Sequence, residues 1–388
     1  MYVGGAIDIV TASKMIPTPR AAEEADELMI RFAERTGLTS DLPEERYLWT
    51  DAFAVCNFLG LAEATGEERY TNLALRLVDQ VHHVLGSYRD DDSRTGWISG
   101  LSEQEGETHP TRGGLRIGKP LPERGVSEPF DEQLEWNRDG QYFHYLTKWM
   151  HALDQVSRRT RQPHFNTWAR ELAEVAHDAF TYTDHSGRRM VWKMSTDLSR
   201  PLVPSMGHHD PLDGFITCIQ LQTTKSTLSS TANGPSLNEA AADFATMIEG
   251  QDWATADPLG LGGLLMDASR VAQLMHLGAF AGGDLLQALL TAALQGLSHY
   301  AREDALRHPA SRRLAFRELG LAIGLSAAER IEALAPYATL GSEIKSFWLD
   351  PEHRETRTWS EHRDINEVML ATSLVPAGFL LMPCCPSP

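Results

Sequence analysis

A chain of 388 residues with a formal net charge of −18 is poor material for binding nucleic acid or an anionic membrane, since both recruit a basic face. Its four cysteines, Cys56, Cys218, Cys384 and Cys385, have no spacing for zinc, and sparse cysteine in a long chain fits a reducing compartment. The opening residues, MYVGGAIDIVTASKMIP, lack the basic and apolar regions of a secretion signal, so a cytoplasmic protein is expected.

Strand signals are scarce and helical ones abundant, and in chain order the helices come in two kinds. AAEEADELMIRFAERTG has one apolar face. LWTDAFAVCNFLGLAEATG, beginning near Leu48, is apolar almost all round. EERYTNLALRLVDQVHHVLG returns to one face, with Tyr70, Leu73, Leu77, Val81 and Val84 at three- and four-residue steps. Residues 87–135 then show little periodicity but carry Trp97, Ile98 and Leu101 among many Gly and Pro, which suits an ordered rim loop. EWNRDGQYFHYLTKWMHALDQ, Glu135 to Gln155, reads as one aromatic helix of the all-round kind. PHFNTWARELAEVAHDAF is one-faced again. A second insertion, TDHSGRRMVWKMSTDLSRPLVPSMGHHD, suggests a short hairpin around Arg188–Met194. The same alternation runs on through LDGFITCIQLQ, SLNEAAADFATMIEG, LGLGGLLMDASRVAQLM, DLLQALLTAALQGLSHYA, RRLAFRELGLAIGL, SAAERIEALAPYATL (broken or ended by Pro336) and INEVMLATSLVPAGFLL. Pro376 and Gly378 interrupt the last segment, so it reads as a buried core helix and not a membrane span.

Helices apolar all round must be buried on all sides. Their starts, near Leu48, Arg138, Pro211, Leu259, Arg312 and Asp364, alternate with one-faced helices six times. In that order the chain resembles the six-hairpin glycosidase fold, an all-α (α/α)6 toroid in which an inner ring of six helices is covered by an outer ring of six. The resemblance implies a single domain over 1–388, with 87–135 as a long active-site-rim loop between the second outer and second inner helices. An open solenoid of helical hairpins is the competing architecture. Toroids of this kind include inverting glycoside hydrolases, unsaturated uronyl hydrolases, polysaccharide lyases and sugar 2-epimerases of the N-acylglucosamine epimerase type.

The resemblance also implies that substrate binds at the end of the barrel where inner helices begin, where unpaired N–H groups converge. Residues at those starts are Trp49, Thr50 and Asp51; Glu135, Trp136, Arg138 and Asp139; His208, His209, Asp210 and Asp213; Asp257; Arg312 and Arg313; and Glu361, His362, Arg363 and Asp364. Trp stacks on sugar rings, while Asp, Glu, Arg and His bond hydroxyls. The plainer reading is that Asp51, Asp213, Asp257 and Asp364 are helix caps. Asn137 already supplies a cap beside Glu135 and Asp139, and a His-His-Asp run exceeds what one cap needs. His144 and His151 read as satisfied core histidines. Adjacent histidines rarely share an ion, so no metal or other cofactor is expected.

The loop HPTRGGLRIGKPLPER gathers Arg112, Arg116, Lys119 and Arg124, a basic rim suited to an anionic group or to pairing with nearby carboxylates. GGLRIGKP imitates a phosphate loop but places Pro120 where Ser or Thr is required. YRDDDSRTGW lacks the alternating ligands of a calcium loop, and no nucleophile elbow occurs.

Three functions follow. The first is a glycoside hydrolase with Glu135 or Asp139 paired with Asp51 or Asp210. Arg138 and Arg363 would hold substrate, with His208, Arg112 and Arg116 as further contacts, and Trp49 and Trp136 would stack on it. The second is a sugar epimerase or isomerase with His362 and His208 or His209 as bases. The third is a carbohydrate-binding toroid without catalysis. A mono- or oligosaccharide is the expected partner in each, and the chain is expected to be a monomer or homodimer.

Overall fold

The structure is a computed structural model, and it describes residues 15–228, 233–302, 304–327 and 331–383. Its helices in order are α1 (Pro19–Arg35), α2 (Leu48–Thr65), α3 (Glu68–Leu85), α4 (Glu103–Thr108), α5 (Glu132–Glu135), α6 (Phe143–Thr160), α7 (Pro163–Phe180) and α8 (Asp210–Leu228). They continue as α9 (Asn238–Ile248), α10 (Pro258–His276), α11 (Gly283–Tyr300), α12 (Ala315–Ala327), α13 (Ala338–Leu349), α14 (Arg357–Ser360), α15 (Arg363–Leu374) and α16 (Ala377–Leu380). The strands are β1 (Gln141–Tyr142), β2 (Thr181–Asp184), β3 (Gly187–Met190), β4 (Lys193–Met194) and β5 (Pro201–Val203). The described residues divide into two compact units, one within residues 15–32, 60–68 and 252–383 and the other within 33–59 and 69–251.

In the first unit α10 packs along α12, and α12 along α13 and α15. The α10–α12 seam is made by glycines. A Cβ on Gly324 would lie 2.7 Å from the Gly262 Cα, so the two backbones touch where any side chain would hold them apart. The outer helix expected over 326–340 lies further along the chain. Residues 332–337 form a 3₁₀ turn containing Pro336, and α13 follows it. Proline has no N–H and cannot continue an α-helical ladder. Residues 328–330 of that expected segment lie outside the described residues. No described helix is long and apolar enough to cross a membrane; Pro376 separates α15 from α16.

In the second unit α6 packs between α7 and α8, and α8 against α9. Phe143 meets Phe180 and Phe244 with ring centroids 5.6 and 5.5 Å apart. Trp149 is fully buried, and its indole N–H donates to His82 Nε2 at 3.2 Å. In α2 residues 51–60 are all buried, as an all-round apolar sequence requires. The rim loop is ordered around Trp97 and Ile98, both buried. β2 and β3 pair as an antiparallel hairpin over 181–190, slightly earlier than the sequence suggests. β1, β4 and β5 form a second small sheet.

The stretch from Glu135 to Gln155 is not one helix. α5 ends at Glu135, Gly140 turns with φ 136°, β1 pairs with β4, and only then does α6 begin. Two forces break the helix. A Cβ at residue 140 would lie 2.7 Å from the Met194 carbonyl, so the close approach needs glycine. Gln141 then spends its side chain on loop backbone, accepting from Leu115 N at 2.9 Å and donating to Gly113 O at 2.9 Å and Thr196 O at 2.7 Å. The second inner helix therefore starts at Phe143, five residues after Arg138.

Candidate active site

Two groups of buried carboxylates occur in the second unit. The first contains Glu135 and Asp139. Asp139 is fully buried, and both oxygens are taken: Arg116 donates to one at 2.6 Å, and the Gly118 N–H donates to the other at 3.0 Å. Glu135 is held by Lys193 at 2.9 Å and Arg124 at 3.0 Å. The Lys193 ammonium, itself fully buried, also donates to the Glu135 and Arg138 carbonyls at 2.9 and 2.8 Å. Burial pulls the Lys193 ammonium below the usual lysine range, against the opposing pull of Glu135. Arg138 turns outward onto Glu128 at 2.7 Å.

The second group lies in the first turn of α8. Asp213 accepts from Lys148 Nζ and from the Thr147 hydroxyl, each at 2.5 Å, both reaching over from α6. Asp210 is also buried, and its Oδ2 has no hydrogen-bond partner. Burial, with the negative charge of Asp213 as the next cause, pushes the Asp210 carboxyl from 3.8 up to about 7, while Lys148 pulls the other way. A carboxylic acid held near neutrality beside a second carboxylate is a proton donor in waiting. The two residues before it, His208 and His209, pack ring on ring at 4.5 Å.

Aromatic rings extend from this pair. His144 stands one turn before Lys148 on α6. Burial and the Lys148 charge push its imidazole down to about 3, so it is neutral and accepts from Trp192 Nε1 at 3.2 Å. Tyr142 stacks on Trp192 at 5.1 Å and on His144 at 5.4 Å. Trp136, half exposed, meets the edge of Trp192 at 5.3 Å. On the other side Trp49 packs against Tyr145 at 5.4 Å, and the Tyr145 and Tyr47 hydroxyls bond at 2.7 Å. Trp49 is buried, and its indole N–H has no acceptor. Among the described residues the Trp49 indole N–H and Asp210 Oδ2 are each buried without a hydrogen-bond partner, which is unusual for buried polar atoms.

The other expected site residues fall elsewhere. Asp51 is buried and accepts from Tyr47 N at 2.8 Å, with Arg46 at 3.6 Å, which closes the start of α2. Arg112 is exposed and pairs with Glu171 at 3.1 Å. His362 and Arg363 belong to the first unit, where both are exposed and His362 meets the edge of Phe316 at 5.6 Å. Among the described residues no cluster of three or more His, Cys, Asp or Glu is arranged to hold a metal ion. Sequence reasoning missed Lys148, Tyr47, Tyr145 and Trp192 as neighbours of the pair. The four-residue step from His144 to Lys148 was the available signal.

No protein-family model matches the chain, and no curated protein matches it by sequence. Its structure is similar to that of a GH76 alpha-mannanase of Bacteroides thetaiotaomicron, with TM-score 0.55 and 7% identity over 92% of this chain and 95% of the mannanase. It is also similar to a sugar epimerase from a ruminal bacterium, with TM-score 0.51 and 12% identity over 90% of this chain and 97% of the epimerase. Both are six-hairpin toroids, and the likeness at these identities establishes one thing: the chain has the all-α (α/α)6 toroid fold.

Proposed function

We propose that the chain is a single-domain carbohydrate-active enzyme, a glycoside hydrolase working through Asp210 and Asp213. The observation that carries this is Asp210, a buried carboxyl with one unbonded oxygen and its pKa pushed up to about 7. It donates its proton to the departing glycosidic oxygen, which leaves as a hydroxyl. Asp213, charged against Lys148, supplies the carboxylate that supports the positive charge developing on the sugar or activates water. Trp136 and Trp192 offer ring faces to a pyranose, and Trp49 Nε1 offers a donor to a hydroxyl. Glu135 and Asp139 enter this reading as the scaffold beneath the aromatic wall.

The test is turnover of a saccharide panel that includes α-mannosides. Asp210→Asn is expected to lower turnover about 100- to 10,000-fold with unchanged helical circular dichroism and no loss of melting temperature. Full activity in that variant would sink the assignment. Saccharide binding by the wild-type chain with no turnover would leave a binding toroid instead.

The His208–His209 ring pair favours a second reading, sugar epimerisation, because that chemistry needs bases that titrate near neutrality. Proton NMR in deuterated water separates the two. Deuterium entering the carbon beside a carbonyl supports epimerisation, and release of a new reducing end supports hydrolysis.

A further inference from the structure

The basic residues around the rim are not equivalent. Arg112 is matched by Glu171, Arg116 by Asp139, Arg124 by Glu135 and Arg138 by Glu128. Each is already ion-paired with a carboxylate of the fold. Lys119 differs. Among the described residues no carboxylate lies within ion-pair distance of its ammonium, which stands 5.2 Å from the centre of the Tyr47 ring. The Tyr47 hydroxyl bonds that of Tyr145, whose ring lies 4.8 Å from His144 and 5.4 Å from Trp49. The charge of Lys119 is therefore presented at the aromatic wall of the candidate active site.

The backbone around Lys119 is fixed on both sides. Gly118 N donates to Asp139 Oδ1 at 3.0 Å, and Ile117 exchanges bonds with Leu48 and Gly140, accepting at 3.0 Å and donating at 2.9 Å. Arg89 donates to the Lys119 carbonyl at 2.7 Å and the Pro120 carbonyl at 3.1 Å. Leu121 N then donates to Asn137 O at 3.1 Å. A surface lysine seldom rides on a segment held this firmly.

We infer that Lys119 is a specificity-determining residue that selects a hexose bearing an anionic group, a carboxylate or a phosphate. The inference rests on the proposed sugar site, and its carrying observation is the contrast between four matched arginines and one lysine held over Tyr47. An ammonium suits such a group as a compact charge that needs no bidentate geometry.

The experiment is a binding titration of the full chain at low and high salt with matched probes. Glucuronate, galacturonate and mannuronate are each compared with the corresponding hexose, and glucose 6-phosphate with glucose. The wild-type chain is expected to bind at least one acid about 10-fold or more tightly than its neutral partner, with the preference shrinking as salt rises. Lys119→Gln should bring that ratio to about 1, and Lys119→Arg should restore most of it. The uronate and phosphate arms show which anion is selected. Equal affinity for acid and neutral sugars, a preference that survives Lys119→Gln, or binding of no probe overturns the inference. Turnover in Asp210→Asn separately decides the acid–base assignment.

Discussion

One pair of carboxylates lies between the end of α5 and β1 and the other in the first turn of α8, and they differ in what surrounds them. Glu135 is clamped by two cations, Lys193 and Arg124, and Asp139 by Arg116 and the Gly118 N–H. Asp213 is ion-paired with Lys148, whereas among the described residues Asp210 beside it has no ion pair and keeps one oxygen unbonded. Burial is common to both pairs and does not separate them. The separation comes from how completely each charge is matched, because a buried charge is tolerated only when paired, and an unpaired group holds its proton instead. The first pair is fully engaged by its partners, whereas the second keeps one oxygen open.

That contrast can be broken most forcefully at Asp139. Asp139→Asn leaves Arg116 buried without its counter-charge and is expected to cost about 3–5 kcal/mol of stability, read by urea unfolding. Asp210→Asn should show no such loss. If Asp139→Asn melts like the wild-type chain while losing turnover, the roles of the two pairs are reversed.

A smaller effect sharpens the comparison through pH. The fold raises the Asp210 pKa from 3.8 to about 7, so the folded chain binds this proton more tightly than the unfolded chain. The stability it contributes is complete below the unfolded value and is lost as pH rises from about 4 through about 7. Activity that needs the protonated form should fall on the alkaline side of the same value. Unfolding measured across that range should show a falling component that disappears in Asp210→Asn. A slope unchanged in that variant would assign it to another group.

The smallest effect concerns the wall. Trp136 is half exposed and touches Trp192 only by its edge. Trp136→Ala should weaken saccharide binding by about 1 kcal/mol with little change in melting, as followed by fluorescence titration.

The alternation of one-faced and all-round helices was readable because burial leaves its period in the chain, as α2 and α3 show. The break at Gly140 was not. Nothing local forbids a helix through Gly140, and the carbonyl that demands glycine there belongs to Met194. The candidate site was legible in part. Asp210 and Trp49 stand out as chemistry placed at helix starts, whereas Trp136 follows the end of α5. Whether a given carboxylate is matched was hidden, because its partners come from elsewhere. Arg116 lies 23 residues from Asp139, Lys193 lies 58 from Glu135, and Lys148 lies 65 from Asp213. Sequence spacing reports neighbours along a helix and is silent on contacts closed by loops.

The tie made by Lys193 has a consequence for the order in which the molecule assembles. Its ammonium gives up water for the Glu135 carboxylate and for two carbonyls that exist in place only once the chain has turned at Gly140. A half-formed version would bury a charge with too few oxygens around it, so the intermediate steps are uphill. Closing a loop of that length brings no compensating contact until the ends meet. The segment with Trp192 and Lys193 is therefore expected to dock after α6 and α7 have formed from local contacts. Until it docks, Tyr142 and His144 lack the Trp192 ring that stacks on them.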